Sequence, residues 1–163
     1  MIVVCDASPL IFLAKLNRLD LISPLLGPDV VVLQCVVDEV LESGRAGDIE
    51  LRRLRVFLKS ARIVDFRETA WSSGRLSASD RQTLTYAVQQ RARWLLADER
   101  LLRRIATEEG LATIGTLGLI AAAAKYGLIT PKEALADIDA AVSKHGFRIS
   151  IALYQRFRAE MVG

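Results

Sequence analysis

Four carboxylates are the residues through which this chain could do chemistry: Asp6, Glu39, Asp80 and Asp98. Asp6 ends the run "IVVC", whose side chains belong inside a protein, and a carboxylate beside them is costly unless something offsets its desolvation. Asp98 closes "WLLA" in the same way. Glu39 lies among the apolar residues of "VVDEVL", and Asp80 falls in the first turn of "SDRQTLTYA". Each has an ordinary alternative. Asp6 or Ser8 can cap a helix with Pro9 in its first turn, and Asp98 can cap "ERLLRRIA". Asp80 can simply favour a helix N-terminus, and Glu39 can sit in solvent beside Asp38. As a set they say more. Like charges brought close raise one another's pKa and oppose folding unless a cation is present. Oxygen ligands with no histidine or thiolate among them suit Mg2+ or Mn2+. Such a cluster can activate a water and steady the leaving oxygen of an in-line phosphoryl displacement, which is nuclease chemistry.

Whether the four meet depends on the elements that carry them. Short β-branched or apolar runs ("IVVC", "VVVL", "ARIVDF", "WLLA", "ATI") alternate with helical patterns. The helices are "SPLIFLAKLNRLDLI", "CVVDEVLES", "GDIELRRLRVFLKS", "SASDRQTLTYAVQQRA", "DERLLRRIATEEG" and "GTLGLIAAAAKYG". "WSSGRL" links the third strand to the helix before the fourth, where Ser79 is the expected N-cap and Gln82 its capping-box partner. Gly110 to Ala124 carries no charge and reads as a buried strand plus a helix that should be sandwiched. Strand alternating with helix implies a parallel sheet covered on both faces, with right-handed crossovers. From Ile129 two more helical patterns flank "KHGFRIS". The expectation is one domain over residues 1–163: a three-layer α/β/α fold with a central parallel sheet of about five strands. Its core spans about 1–128 and a helical C-terminal extension about 129–163. In open sheets of this kind ligands bind beyond the carboxyl ends of the strands, where strand order reverses. If strands one and four are neighbours there, Asp6 and Asp98 lie side by side.

Composition narrows the classes. A chain of 163 residues, 52% hydrophobic and 25% charged, is globular rather than disordered. No uncharged stretch is long enough to cross a bilayer, and the N-terminus lacks an export signal, so the expected compartment is the cytoplasm. Cys5 and Cys35 read as reduced core thiols. The single histidine, His145, suits a helix end before Gly146 and cannot build a zinc site or a Ser-His-Asp triad. Trp71 and Trp94 read as core or rim aromatics. There is no P-loop, no G-x-S-x-G elbow, and "GTLG" lacks dinucleotide spacing. A net charge of +3, concentrated in "ELRRLRVFLKSAR" and "DERLLRRIA", permits a nucleic-acid partner without demanding one.

At these residues the sequence resembles the PIN-domain family, particularly the VapC-like toxins of toxin–antitoxin pairs. "DASPLIFLAKL", "VVDEVL", "SDRQTLTYA", "LLADERLLRRIA" and "IGTLGLI" come in the family's order, and the similarity runs on through "AKYGLI" to the tail "GFRIS…LY". By position, Asp6, Glu39, Asp80 and Asp98 match the family's acidic quartet, although Ser79-Asp80 stands where a Gly-Glu pair is usual. The proline usual after strand two is also missing from "VVVLQCVV". The resemblance implies a ribonuclease dependent on Mg2+ (or Mn2+), with Asp6 and Asp98 gripping the metal and Glu39 and Asp80 completing the site, through water or a second ion. A metal-activated water would cleave the phosphodiester to 5′-phosphate and 3′-hydroxyl ends. Glu99 would be an auxiliary ligand or water-binder, and Thr116 and Ser8 would line the same pocket, with caps as the alternative for those two. Arg100, Arg103 and Arg104 would touch the RNA backbone, or else pair with Glu99 or Glu108. The implied partners are RNA, a small cognate antitoxin and a second copy of the chain, with no membrane. Two rivals stand beside this: a catalytically silent PIN-fold protein-binding module and a receiver-like phosphoacceptor. The second needs an acidic pair after strand one, where Asp6 is followed by Ala7, and a lysine after strand five, where "IGT" stands.

Overall fold

The β-branched runs become the strands of a central sheet. In the computed structural model, which describes residues 1–71 and 74–163, Val3–Cys5 (β1) and Val30–Leu33 (β2) are buried at every position. Arg62–Val64 (β3), Trp94–Leu96 (β4) and Ala112–Ile114 (β5) complete it. All pairings are parallel and the order is β3-β2-β1-β4-β5. Burial follows that order: the central strands are apolar on both faces, while both edge strands are partly exposed. The expectation that Ala112–Ile114 is buried therefore fails, because β5 is an edge.

Helices cover both faces: Ala7–Leu16 (α1), Ile22–Leu26 (α2), Gln34–Glu42 (α3), Asp48–Ser60 (α4), Ala78–Gln89 (α5), Arg100–Glu108 (α6) and Thr116–Lys125 (α7). Pro131–Lys144 (α8) and Ile151–Val162 (α9) form the C-terminal extension. The link "WSSGRL" includes Ser72 and Ser73, which lie outside the described residues. Helix α7 packs against α8, α2, α1 and α9, as its apolar sequence requires.

Two local expectations are corrected. The pattern from Ser8 to Ile22 is not one helix: Asn17 adopts φ 57°, ψ 44° and ends α1, and a 3-10 turn over Leu19–Leu21 leads into α2. Asparagine tolerates that left-handed conformation, so apolar spacing continues across a break in the backbone. The N-cap of α5 is Ser77, whose hydroxyl accepts from the Asp80 N–H at 3.0 Å, and not Ser79.

The extension is tied to the domain by polar and apolar contacts. Arg18, just past α1, donates from Nε to Asp137 of α8 at 2.7 Å. Tyr154 of α9 donates to Asp139 of α8. Phe147 meets Phe12 of α1 edge to face, with ring centroids 5.0 Å apart, and Phe157 is buried.

Candidate active site

Strand β1 ends and α1 begins at Asp6. Its backbone N–H donates to the Leu96 carbonyl at 2.8 Å, continuing the β1–β4 pairing one residue past the strand. This fixes Asp6 at the point where strand order reverses. Its carboxylate occupies the N-cap position of α1 yet makes no capping hydrogen bond. The residue is 3% exposed, and Oδ1 is buried without a hydrogen-bond partner. Burial, and then the Asp80 and Glu39 carboxylates, push its pKa well above the usual carboxylate range.

Asp80 and Glu39 reach this point from two other helices. Glu39 is half-buried on α3, and burial followed by Asp80 raises its pKa, against the opposing pull of Arg45. Asp80 stands in the first turn of α5. The two helices are joined by the Ser79 hydroxyl, which donates to Cys35 Sγ at 3.4 Å. Cys35 is four residues before Glu39 and so on the same face of α3, and Ser79 immediately precedes Asp80. The residue misread as a cap thus helps dock the helix that carries the third carboxylate.

Asp98 follows β4 and has different company. Its Oδ1 accepts from the Thr116 N–H and its Oδ2 from the Thr116 hydroxyl, each at 2.7 Å. Burial raises its pKa, while those bonds, Arg103 and Arg45 lower it. Asp98 is therefore not the cap of α6. That position belongs to Glu99, whose carboxylate accepts from the Leu102 N–H at 2.6 Å. Gly115 allows Asp98 its place, since a Cβ there would lie 2.8 Å from Asp98 Oδ1 and 3.2 Å from the Ala97 carbonyl oxygen. The structure thus brings Asp6, Glu39 and Asp80 into one electrostatic group and sets Asp98 beside it at the neighbouring strand end.

Of the other expected residues, Ser8 accepts from Arg45 Nη2 at 3.1 Å. Arg103 lies beside Asp98, and Arg104 is 3.9 Å from Glu108 on the exposed face of α6. Arg100 and Arg103 line a groove that also contains Ser8 and Asp98. Sequence reasoning missed Arg45. It sits in the loop between α3 and α4, where no periodicity says which way a side chain turns, yet its guanidinium acts on both Glu39 and Asp98.

Can these residues hold a divalent cation? Among the described residues no three or more carboxylates, cysteines or histidines stand ready-made as a ligand set. Mg2+ does not require one: it keeps several waters and uses one or two carboxylates together with substrate phosphate. A buried Asp6 oxygen lacking a donor, with two further carboxylates acting on it, is uncompensated negative charge of the hard kind such an ion takes. The donor set fits.

Comparison with known proteins agrees with this architecture. A family model described as "DUF3368: PIN domain" matches residues 2–162, and the chain belongs to that family. Among solved structures it is similar to a PilT N-terminus domain protein, SSO1118, from the hyperthermophilic archaeon Sulfolobus solfataricus P2. The two are 22% identical with a TM-score of 0.55, over 75% of this chain and 92% of that one. At that identity the likeness is one of fold. No curated protein matches the chain. PIN domains are commonly nucleases and generally use divalent metal ions. Among the described residues no helix is long and apolar enough to cross a membrane.

Proposed function

We propose that this PIN-domain chain is a Mg2+- or Mn2+-dependent endoribonuclease. The observation that carries the reading is the buried, unpartnered Asp6 oxygen at the strand-order reversal, with Asp80 and Glu39 acting on it. A divalent cation bound there supplies charge that acidifies the attacking water and neutralises the phosphate. Asp6 and Asp80 would hold it, with Asp98 beside them. Glu39, its pKa raised by burial and by Asp80 and so a stronger base than an ordinary carboxylate, is suited to take the proton of the attacking water. Thr116 holds Asp98 in one orientation through both carboxylate oxygens. Arg45 and Arg103 flank Asp98 from the groove side, where a phosphate would enter.

The finer assignment is the toxin of a type II toxin–antitoxin pair, acting in the cytoplasm as a homodimer and held silent by a small cognate antitoxin. Its support is the order of motifs shared with VapC-like chains. Incubating the purified chain with single-stranded RNA tests the activity. Cleavage should need Mg2+ or Mn2+, stop with EDTA, and fall by roughly a hundredfold or more in Asp6→Asn, since even residues that only orient metal ligands cost up to that much. No cleavage with either ion would favour the silent protein-binding module. Equal cleavage by wild type and Asp6→Asn would mean a contaminating enzyme. An abutting reading frame for a small DNA-binding protein, whose product forms a complex with this chain and stops cleavage, is what the toxin assignment expects.

A further inference from the structure

The C-terminal extension does more than cover α7. Its segment from Gly146 to Glu160 forms one wall of a groove of about 850 Å3, whose other side includes Ser8, Arg45, Asp98 and Arg103. The groove therefore reaches Asp98, at the strand end beside the acidic group. Its lining has two characters. Ile149 and Leu153 from the extension and Leu117 from α7 give an apolar surface, and five arginines, Arg45, Arg100, Arg103, Arg148 and Arg156, surround it. Among the described residues Arg100, Arg148 and Arg156 make no ion pair. Of the acidic side chains along the groove, Asp98 is held by Thr116 and Glu99 by the α6 backbone, which leaves Glu160 against the arginines. The occupant that matches such a lining is a polyanion with apolar faces free to be buried. A duplex offers phosphates but keeps its bases stacked inside, whereas a single strand offers both.

We propose that the extension is a single-stranded RNA subsite, in which Arg148 and Arg156 hold backbone phosphates and Ile149 and Leu153 receive the bases of the strand entering the acidic site. This rests on the nuclease reading, which supplies RNA as the polyanion. The extension is held by Phe147 on Phe12, Arg18 on Asp137 and the buried Phe157, so the backbone that carries the two arginines is fixed against the domain.

The test uses the full chain in EDTA, where binding is read without cleavage. Fluorescence anisotropy with a labelled single-stranded oligoribonucleotide, its duplex and polyglutamate as competitor separates the possibilities. The single strand should bind best. The double variant Arg148→Ala/Arg156→Ala should weaken it about tenfold and lower the salt slope by about 1.4, roughly 0.7 per lost phosphate contact on a single strand. Arg158→Ala, on the same helix but outside the groove, should change neither, and the melting temperature should be unaffected. With Mg2+, the double variant should raise KM and leave kcat at saturating RNA unchanged. RNA binding without cleavage would sink the nuclease reading and leave the subsite standing. Cleavage with an unchanged KM in the double variant would do the reverse. Equal binding of duplex, equal competition by polyglutamate, no binding at all, or equal losses in Arg158→Ala would each overturn the subsite.

Discussion

Asp6 Oδ1 is buried with no hydrogen-bond partner, and although the Ala7 N–H favours the charged carboxyl, burial and the neighbouring carboxylates oppose it unless a cation arrives. Asp6, Glu39 and Asp98 all have raised pKa values and bind protons more tightly folded than unfolded. In metal-free buffer their contribution to stability is therefore fully present below the unfolded carboxylate value of about 4 and is lost as pH rises through the raised folded values. Urea titrations of wild type and Asp6→Asn in EDTA should diverge across that window. The variant should be the more stable at neutral pH, because it has no charge to bury. A variant less stable than wild type would contradict this account of Asp6. Thr116→Val removes one of two bonds to Asp98, and urea unfolding should show a loss of about 1.5–3 kcal/mol, the range for hydrogen bonds to charged groups. At this scale the sequence was legible where an acid directly follows an apolar run, as at Asp6 and Asp98. It was not legible at Arg45, which no pattern orients, nor in the choice of cap for α6, which one residue of helix phase moved from Asp98 to Glu99.

Helix starts decide how the carboxylates are presented. In "SASD" both serines are capping residues by type, and the structure separates them: Ser77 caps α5, while Ser79 faces α3 and donates to Cys35. Ser77→Ala should cost about 1 kcal/mol in thermal or urea unfolding, the usual value for a lost cap. Ser79→Ala should cost less, because its contact is a weak bond to sulfur. The order reversed would restore Ser79 as the cap. Gly115→Ala tests the junction of β5 and α7, where an added Cβ must push on Asp98 and the Ala97 carbonyl. It should lower both stability and cleavage, whereas Gly110, with φ +86° and open space, should matter only through its backbone. Strand and helix alternation was readable from periodicity, since the buried strands are runs of β-branched residues. The break at Asn17 was not, because apolar spacing passes through it while the backbone alone changes hand.

The whole molecule places the chemistry by sheet order. With β1 between β2 and β4, the reversal falls where Asp6 and Asp98 leave the sheet, an arrangement that alternation and right-handed crossovers made readable in outline. The groove wall built by the extension was not readable, because it depends on how α8 and α9 pack back against α1 and α7. Arg18→Ala should loosen that packing, seen as faster proteolysis around residues 145–150 with the core sheet still protected from hydrogen exchange. The central claim is that a divalent cation is held where Asp6, Glu39 and Asp80 meet. An ion that binds only the folded chain raises its melting temperature by mass action. The direct measurement is thermal unfolding at neutral pH with increasing Mg2+ or Mn2+, for wild type, Asp6→Asn and Asp80→Asn. Melting should rise with the ion in wild type and stay flat in both variants. A flat wild-type curve, or the same rise in all three, would contradict the claim.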